Sequence, residues 1–175
     1  MRVSQPKLPT RFASCLVAFL ILLCGSAVAA DNPAPASSSD GKYLDKDGNP
    51  TFKIDRDGTV DWYTYIGFQQ YGANCLQCHG PDALGSSYAP SLVDSLKSLD
   101  YNQFVAIVAG GKRDVNAAQD LVMPSLGTNK NVMCNIEAIY AYLRARADGA
   151  LGRGRPEKHA DKPADYETSH DACLS

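Results

Sequence analysis

The sequence predicts an all-α domain of three to four helices folded around one covalently bound group, with a short hairpin before it and an extended tail after it. Three observations carry that reading. Apolar residues recur at spacings of three and four in three stretches, beginning near Asp61, Tyr101 and Asn131. The first stretch runs directly into Cys75-Leu76-Gln77-Cys78-His79, two cysteines two residues apart with histidine following at once. That spacing is an attachment pattern for a c-type haem. The chemistry requires it, because the two thiols add across two vinyl groups on one side of the porphyrin while the adjacent imidazole reaches the iron. At 175 residues the chain is long enough for one domain with a proper core.

Residues 1–30 read as a secretory signal and are set apart from the fold. Arg2, Lys7 and Arg11 form a positive start without an acidic residue, Phe12 to Cys24 is nearly continuous apolar sequence, and Ala27-Val28-Ala29 offers the small residues a signal peptidase reads. The apolar run falls short of the roughly 20 residues that span a bilayer. Leu23, where a lipidated signal wants a small residue, argues against lipidation of Cys24. The expectation is cleavage after Ala29 or Ala30 and a periplasmic location, with an uncleaved membrane anchor as the alternative. Without the three leader cations, 14 of the 17 Lys+Arg face all 19 Asp+Glu, a formal charge of −5. That balance disfavours nucleic acid as a partner. Export places Cys75, Cys78, Cys134 and Cys173 in an oxidising compartment.

The elements follow in order. Residues 31–41 are rich in Pro, Ala, Ser and Asp and predict a disordered leader. Residues 42–60 hold two similar acidic turns, Asp45-Lys46-Asp47-Gly48 and Asp55-Arg56-Asp57-Gly58, beside short runs around Tyr43-Leu44 and Thr51-Phe52-Lys53-Ile54 that can pair as a hairpin. Asp55, Asp57 and Asp61 invite a calcium loop, but neither turn has the glutamate an EF-hand carries at its twelfth position, so turn chemistry is the better reading. Residues 61–149 form the helical domain. Asp61 can cap a first helix whose apolar face holds Trp62, Tyr65, Ile66 and Tyr71. A second helix is expected over Tyr101 to Ala109, capped by Asp100 and stopped by Gly110-Gly111, and a third over about Asn131 to Ala147 with Ile136, Ile139, Tyr140, Leu143 and Ala147 as its stripe. Residues 150–175, with Gly152, Gly154 and Pro156, predict an extended tail. Arg144, Arg146, Arg153, Arg155 and Lys158 read either as a docking face for a redox partner or as a solvated helix end and linker.

The stretch from about Asp61 to Asp148 resembles a class I cytochrome c. Gly67 and Tyr71 lie eight and four residues before Cys75, where that family places a small residue and an aromatic. Ile139, Tyr142 and Leu143 match the pattern of its last helix, and glycine is what permits the two helices to cross closely. Pro90, in Ala89-Pro90-Ser91-Leu92, resembles the loop whose proline carbonyl accepts a hydrogen bond from the proximal histidine, and Met123-Pro124 resembles the pair that supplies the sixth ligand. The resemblance implies a cytochrome c fold with one haem c on Cys75 and Cys78, iron held by His79 and Met123, and the Pro90 carbonyl on His79. Met133 is the rival to Met123; Pro124 and the 44 residues between His79 and Met123 favour the latter. His159 and His170 lie in the polar tail and read as solvated. A thioredoxin-like pair or a zinc site at the motif lacks the required context.

Cys134 and Cys173 depart from the simple family pattern. As the leftover pair of an exported chain they are expected to bond, closing a loop of about 40 residues worth roughly 4 kcal/mol in the chain-entropy model; two free thiols are the alternative. This four-cysteine layout, the acidic turns and the segment RARADGALGRGRP look like a group of periplasmic cytochromes associated with methanol oxidation. That resemblance implies an electron-transfer protein and not an enzyme. Its donor would be a PQQ-dependent (quinoprotein) methanol or alcohol dehydrogenase, and its acceptor another cytochrome or an oxidase. The alternatives are a haem subunit of a membrane oxidase or dehydrogenase complex, and a haem sensor or peroxidase with an open sixth position.

Overall fold

Asp61 begins the helical domain. Its Oδ1 accepts from the Thr64 N–H at 2.9 Å and its Oδ2 from the Thr64 hydroxyl at 2.6 Å, which caps α1, Trp62–Asn74. The same Oδ2 accepts the Lys53 N–H at 2.8 Å, so one buried carboxylate joins the N-terminal extension to the first helix. Burial pushes the Asp61 carboxyl upward, and the hydrogen bonds from Lys53 and Thr64 oppose that shift. The computed structural model describes residues 35–115 and 120–175. The expected signal, 1–30, lies outside the described residues.

After α1 come α2 (Leu76–His79), a single 3-10 turn (Pro81–Ala83), α3 (Leu92–Ser95), α4 (Tyr101–Gly110), α5 (Lys130–Met133), α6 (Ile136–Ala147) and α7 (Tyr166–Leu174). Asp100 and Gln103 close a reciprocal capping box at the start of α4, and Gly111, with φ +77°, ends it. The long helical elements are α1, α4 and α6. The all-α expectation needs amendment, because two small antiparallel sheets accompany the helices. Strands β1 (Ser37–Ser39), β2 (Lys42–Leu44) and β3 (Pro50–Thr51) pair in that order, with Tyr43 opposite Thr51 and Leu44 opposite Pro50. Strands β4 (Lys112–Val115) and β5 (Asp120–Met123) form a hairpin with Lys112 opposite Met123.

The acidic turns are self-capping. Asp45 Oδ1 accepts the Asp47 and Asn49 N–H groups at 2.9 Å, and Asp57 Oδ1 accepts that of Thr59 at 3.1 Å. Among the described residues no cluster of three or more His, Cys, Asp or Glu is arranged to hold a metal ion. Beyond the first turn, Phe52 packs against Ala141 and Ala145, so the extension covers the back of α6.

The single helix expected over 131–147 is divided. Asn135 (φ −115°, ψ 12°) leaves helical geometry between α5 and α6, and its side-chain amide donates to the Asn131 carbonyl at 2.9 Å. The apolar period continues across the break, which is why it reads as one helix. Cys134 beside it is bonded to Cys173, with Cα atoms 5.8 Å apart across a sequence separation of 39. The tail is more ordered than an extended linker. Val60 donates to the Lys158 carbonyl and accepts from the Ala160 N–H, a parallel bridge, and α7 then sets Tyr166 edge-on to both Trp62 and Tyr63. Among the described residues no helix is long and apolar enough to cross a membrane.

The closest approach in the core is the crossing of α1 with α6 at Gly67. A Cβ there would lie 1.9 Å from the Ala138 carbonyl oxygen and 2.8 Å from Tyr142 Cβ. Backbone cannot yield as a flexible side chain can. Gly67→Ala is therefore expected to destabilise the protein by about 1–3 kcal/mol through overpacking, against the usual helical preference for alanine. A lower urea midpoint in equilibrium unfolding checks this; an unchanged or higher midpoint contradicts it.

Candidate haem site

The chain passes almost without interruption from α1 into the cysteine motif. Cys75 (φ −122°, ψ −31°) is the joint, with its N–H still donating to the Tyr71 carbonyl and its own carbonyl accepting from the His79 N–H. Residues three and four apart share a helix face, so Cys75, Cys78 and His79 emerge on one side of the turn. Neither cysteine enters a disulfide; Cys75 is half-buried and Cys78 exposed. Burial pushes the Cys75 thiol up to about 11, with Cys78 adding to the shift.

His79 is 7% exposed, and its Nδ1 lies 3.0 Å from the Pro90 carbonyl oxygen. A carbonyl can only accept, so the contact places the proton on Nδ1 and leaves the Nε2 lone pair free for a metal. The backbone around it is pinned at several points. The Gly85 N–H donates to the His79 carbonyl at 2.8 Å, the Tyr71 hydroxyl to the Gly80 carbonyl, and the Ser86 hydroxyl to the Cys78 carbonyl. Gly80 (φ +73°) and Gly85 (φ +85°) pack backbone to backbone, where a Cβ on Gly80 would sit 2.3 Å from the Gly85 carbonyl oxygen.

Cys75 and His79 line a cavity that is partly open to solvent. Its walls are apolar, drawn from α3, α4 and α6 and including Leu96, Phe104, Ile139 and Leu143. Met123, at the end of β5, also lines it. The segment after Met123 is tied down by Leu126 N–H to the Val108 carbonyl, Gly127 N–H to the Ala109 carbonyl, and the Ser125 hydroxyl to the same Ala109 oxygen. Gly111 permits this approach, since a Cβ there would lie 2.7 Å from the Met123 carbonyl oxygen. Met133 does not line this cavity; it faces a separate cleft beside the disulfide. The residues fit a haem: apolar walls, a thiol at the mouth, and an imidazole and a thioether as the side chains able to bind iron.

Of the sequence-predicted residues, Cys75, His79 and Met123 line one cavity, the Pro90 carbonyl contacts His79, Cys78 is exposed beside it, and Cys134 and Cys173 are joined elsewhere. His159 is exposed, as expected, and its ring also stacks on Tyr65 with centroids 3.9 Å apart; His170 is partly buried and stacks on Tyr166 at 5.3 Å. The basic residues proposed as a docking face have partners inside the chain. Arg144 donates to the Leu96 carbonyl and pairs with Asp148, Arg155 donates to the Tyr65 hydroxyl, and Lys158 pairs with Asp57. Arg146 and Arg153 converge on Asp82. Sequence reasoning missed these roles because the partners lie far along the chain from most of these residues, and for Arg144 and Arg146 they include backbone carbonyls. It also missed the β4–β5 hairpin that delivers Met123.

Comparison with known proteins agrees with this geometry. Residues 66–143 match the family model described as cytochrome c oxidase, cbb3-type, subunit III. The chain is 48% identical over 141 residues to cytochrome c-553I of Paracoccus denitrificans, covering 81% of this chain and 62% of that protein, so it spans less than two thirds of that relative's length. It is 37% identical over 100 residues to cytochrome c-555 of Methylococcus capsulatus, covering 57% of this chain and 75% of that one. The crystal structure of the c-type cytochrome XoxG from Methylobacterium extorquens AM1 superposes with a TM-score of 0.74 at 54% identity, covering 80% of this chain and 86% of that chain. The chain belongs to the class I c-type cytochromes, whose members carry covalently bound haem c.

Proposed function

We propose that this chain is a periplasmic monohaem electron carrier, exported by residues 1–30. In this reading Cys75 and Cys78 attach haem c covalently, His79 and Met123 are the axial iron ligands, and the Pro90 carbonyl orients His79. The observation that carries it is the presence of one imidazole and one thioether in an otherwise apolar cavity reached by the cysteine motif. Bound haem c supplies one-electron ferric–ferrous chemistry. The chain's own residues set its conditions. The Nδ1–H bond to Pro90 makes the His79 ligand more basic without adding a charge to the site. The Met123 thioether is a soft donor that favours the ferrous form, so a His/Met pair raises the potential. No further acid or base lines the cavity among the described residues, which suits carrying an electron better than making or breaking a substrate bond.

The donor in this proposal is a PQQ-dependent methanol or alcohol dehydrogenase, and the acceptor is another cytochrome or an oxidase. Support comes from the four-cysteine layout, the acidic turns and the RARADGALGRGRP segment, together with the similarity to c-553I and XoxG. A second reading, a haem subunit of a membrane oxidase complex, is favoured by the description of the matching family model.

Three outcomes are expected. The ferric protein shows the weak near-infrared band of sulfur–iron ligation; Met123→Ala abolishes it and lowers the potential, while Met133→Ala keeps the band. Loss of the band in Met133→Ala with retention in Met123→Ala would reverse the assignment. Rapid mixing with reduced methanol dehydrogenase at micromolar protein reduces the haem, and the absence of reduction would discard that donor. Osmotic shock releases the protein without detergent; retention in the membrane fraction until detergent is added would favour the oxidase-subunit reading.

A further inference from the structure

The chain leaves the cysteine motif through a turn that ordinary residues adopt only with support. Asp82 and Ala83 both lie in the left-handed region, at φ +58° and +62°. For residues with a Cβ that conformation is unfavourable, because the Cβ crowds the following carbonyl oxygen. Ala83 is fully buried in the core, so the turn cannot relax outward.

The support comes from far along the sequence. The Asp82 carboxylate, its side chain only 12% exposed, accepts from Arg153 Nε at 2.9 Å and from the Gly154 N–H at 2.7 Å. Its backbone carbonyl accepts from Arg146 Nε and Nη2, each at 3.3 Å. Arg146, on α6, is 8% exposed, and its Nη1 donates to the Leu151 carbonyl at 2.7 Å. Leu151 in turn donates its N–H to the Ala145 carbonyl and packs into the core. A closed ring results, running from Asp82 to Arg153 and Gly154, back through Leu151 to α6, and through Arg146 to Asp82. Arg146 directs its hydrogen bonds to carbonyls and finds its nearby negative charge in Asp82. The Gly154 N–H, then Arg153, hold the Asp82 carboxyl below the usual carboxylate range, so it is ionised at neutral pH.

The turn held by this ring is the one whose Gly80 carbonyl accepts from the Tyr71 hydroxyl and whose Gly85 N–H donates to the His79 carbonyl. We propose that Asp82 is a positioning residue for His79, fastening the turn 80–85 to α6 and the C-terminal segment 151–154 and offsetting the charge of Arg146 beside the site. The proposal rests on the reading of His79 as an iron ligand. It gives the Arg/Gly-rich tail an internal purpose, the bracing of the haem-attachment turn.

The test uses the full-length holoprotein as Asp82→Asn, Asp82→Ala and Arg153→Ala, with two readouts. Amide exchange by NMR compares Gly85 with the α6 amides of Ile139 and Leu143. In Asp82→Ala the Gly85 amide is expected to exchange about tenfold faster or more, the scale of a lost charge-assisted hydrogen bond, with a smaller change in α6. Redox titration supplies the second readout. Asp82→Asn keeps the shape and removes the negative charge, so the potential moves in the positive direction. Arg153→Ala removes a cation, so the potential moves in the negative direction. A purely structural role has no reason to produce opposite signs. Equal acceleration at Gly85 and in α6, or potentials unmoved or moved the same way in Asp82→Asn and Arg153→Ala, would overturn the proposal. If Asp82→Ala does not fold, the other two variants give both readouts. A haem spectrum unchanged in His79→Ala would sink the reading of His79 as a ligand instead, and exchange at Gly85 would still judge the brace.

Discussion

The crossing of α1 with α6 at Gly67 is the contact on which the rest of the structure depends. With hydrogen in place of a side chain, the two backbones approach until a Cβ would overlap the Ala138 carbonyl. Tyr142 and Leu143 are buried as a consequence, and Leu143 reaches the cavity wall from α6. The other end of α1 continues into the cysteine motif, so the same crossing fixes where Cys75 and His79 sit relative to that wall. Widening it by one methyl group would move both sides of the site together. Packed interiors transmit such strain because they contain few voids to absorb it.

Around this crossing the chain separates polar from apolar functions. Inside the cavity the imidazole of His79 is answered by a neutral carbonyl, and no ion pair intrudes. Outside it, buried polar groups act as joints between segments distant in sequence: Asp61 between the N-terminal hairpin and α1, and Arg146 between α6, the turn after the motif, and the tail. A buried charge left unpaired costs several kcal/mol, so each joint is stable only while all its partners are present. The disulfide does the same work covalently, fastening α7 to the junction of α5 and α6.

Much of this was legible in the sequence where one local rule decides the outcome. Asp61 and Asp100 cap helices and Gly111 ends α4, because capping and termination are properties of single residues in known registers. Gly67, Pro90 and Met123 stood out by their resemblance to family patterns; the structure puts Gly67 at the α1–α6 crossing, Met123 in the cavity wall and the Pro90 carbonyl on His79. What escaped were contacts that sequence does not display. The β4–β5 hairpin lacks an Asn-Gly or Asp-Gly signal, and its strands are short. The break at Asn135 hides inside a continuous apolar period. The arginines after residue 143 suggested a charged surface, yet Arg144 and Arg146 are directed to carbonyls of Leu96, Asp82 and Leu151, which any residue type would offer.

The central claim is that His79 and Met123 together close the iron's coordination. Proton NMR of the ferrous holoprotein tests it most directly, because a methionine bound at the axial position holds its ε-methyl in the ring current over the haem. The account predicts one three-proton methyl resonance shifted far upfield, assigned to Met123 by isotope labelling and missing from Met123→Ala. A spectrum with no such resonance, or with one that belongs to Met133, would contradict it.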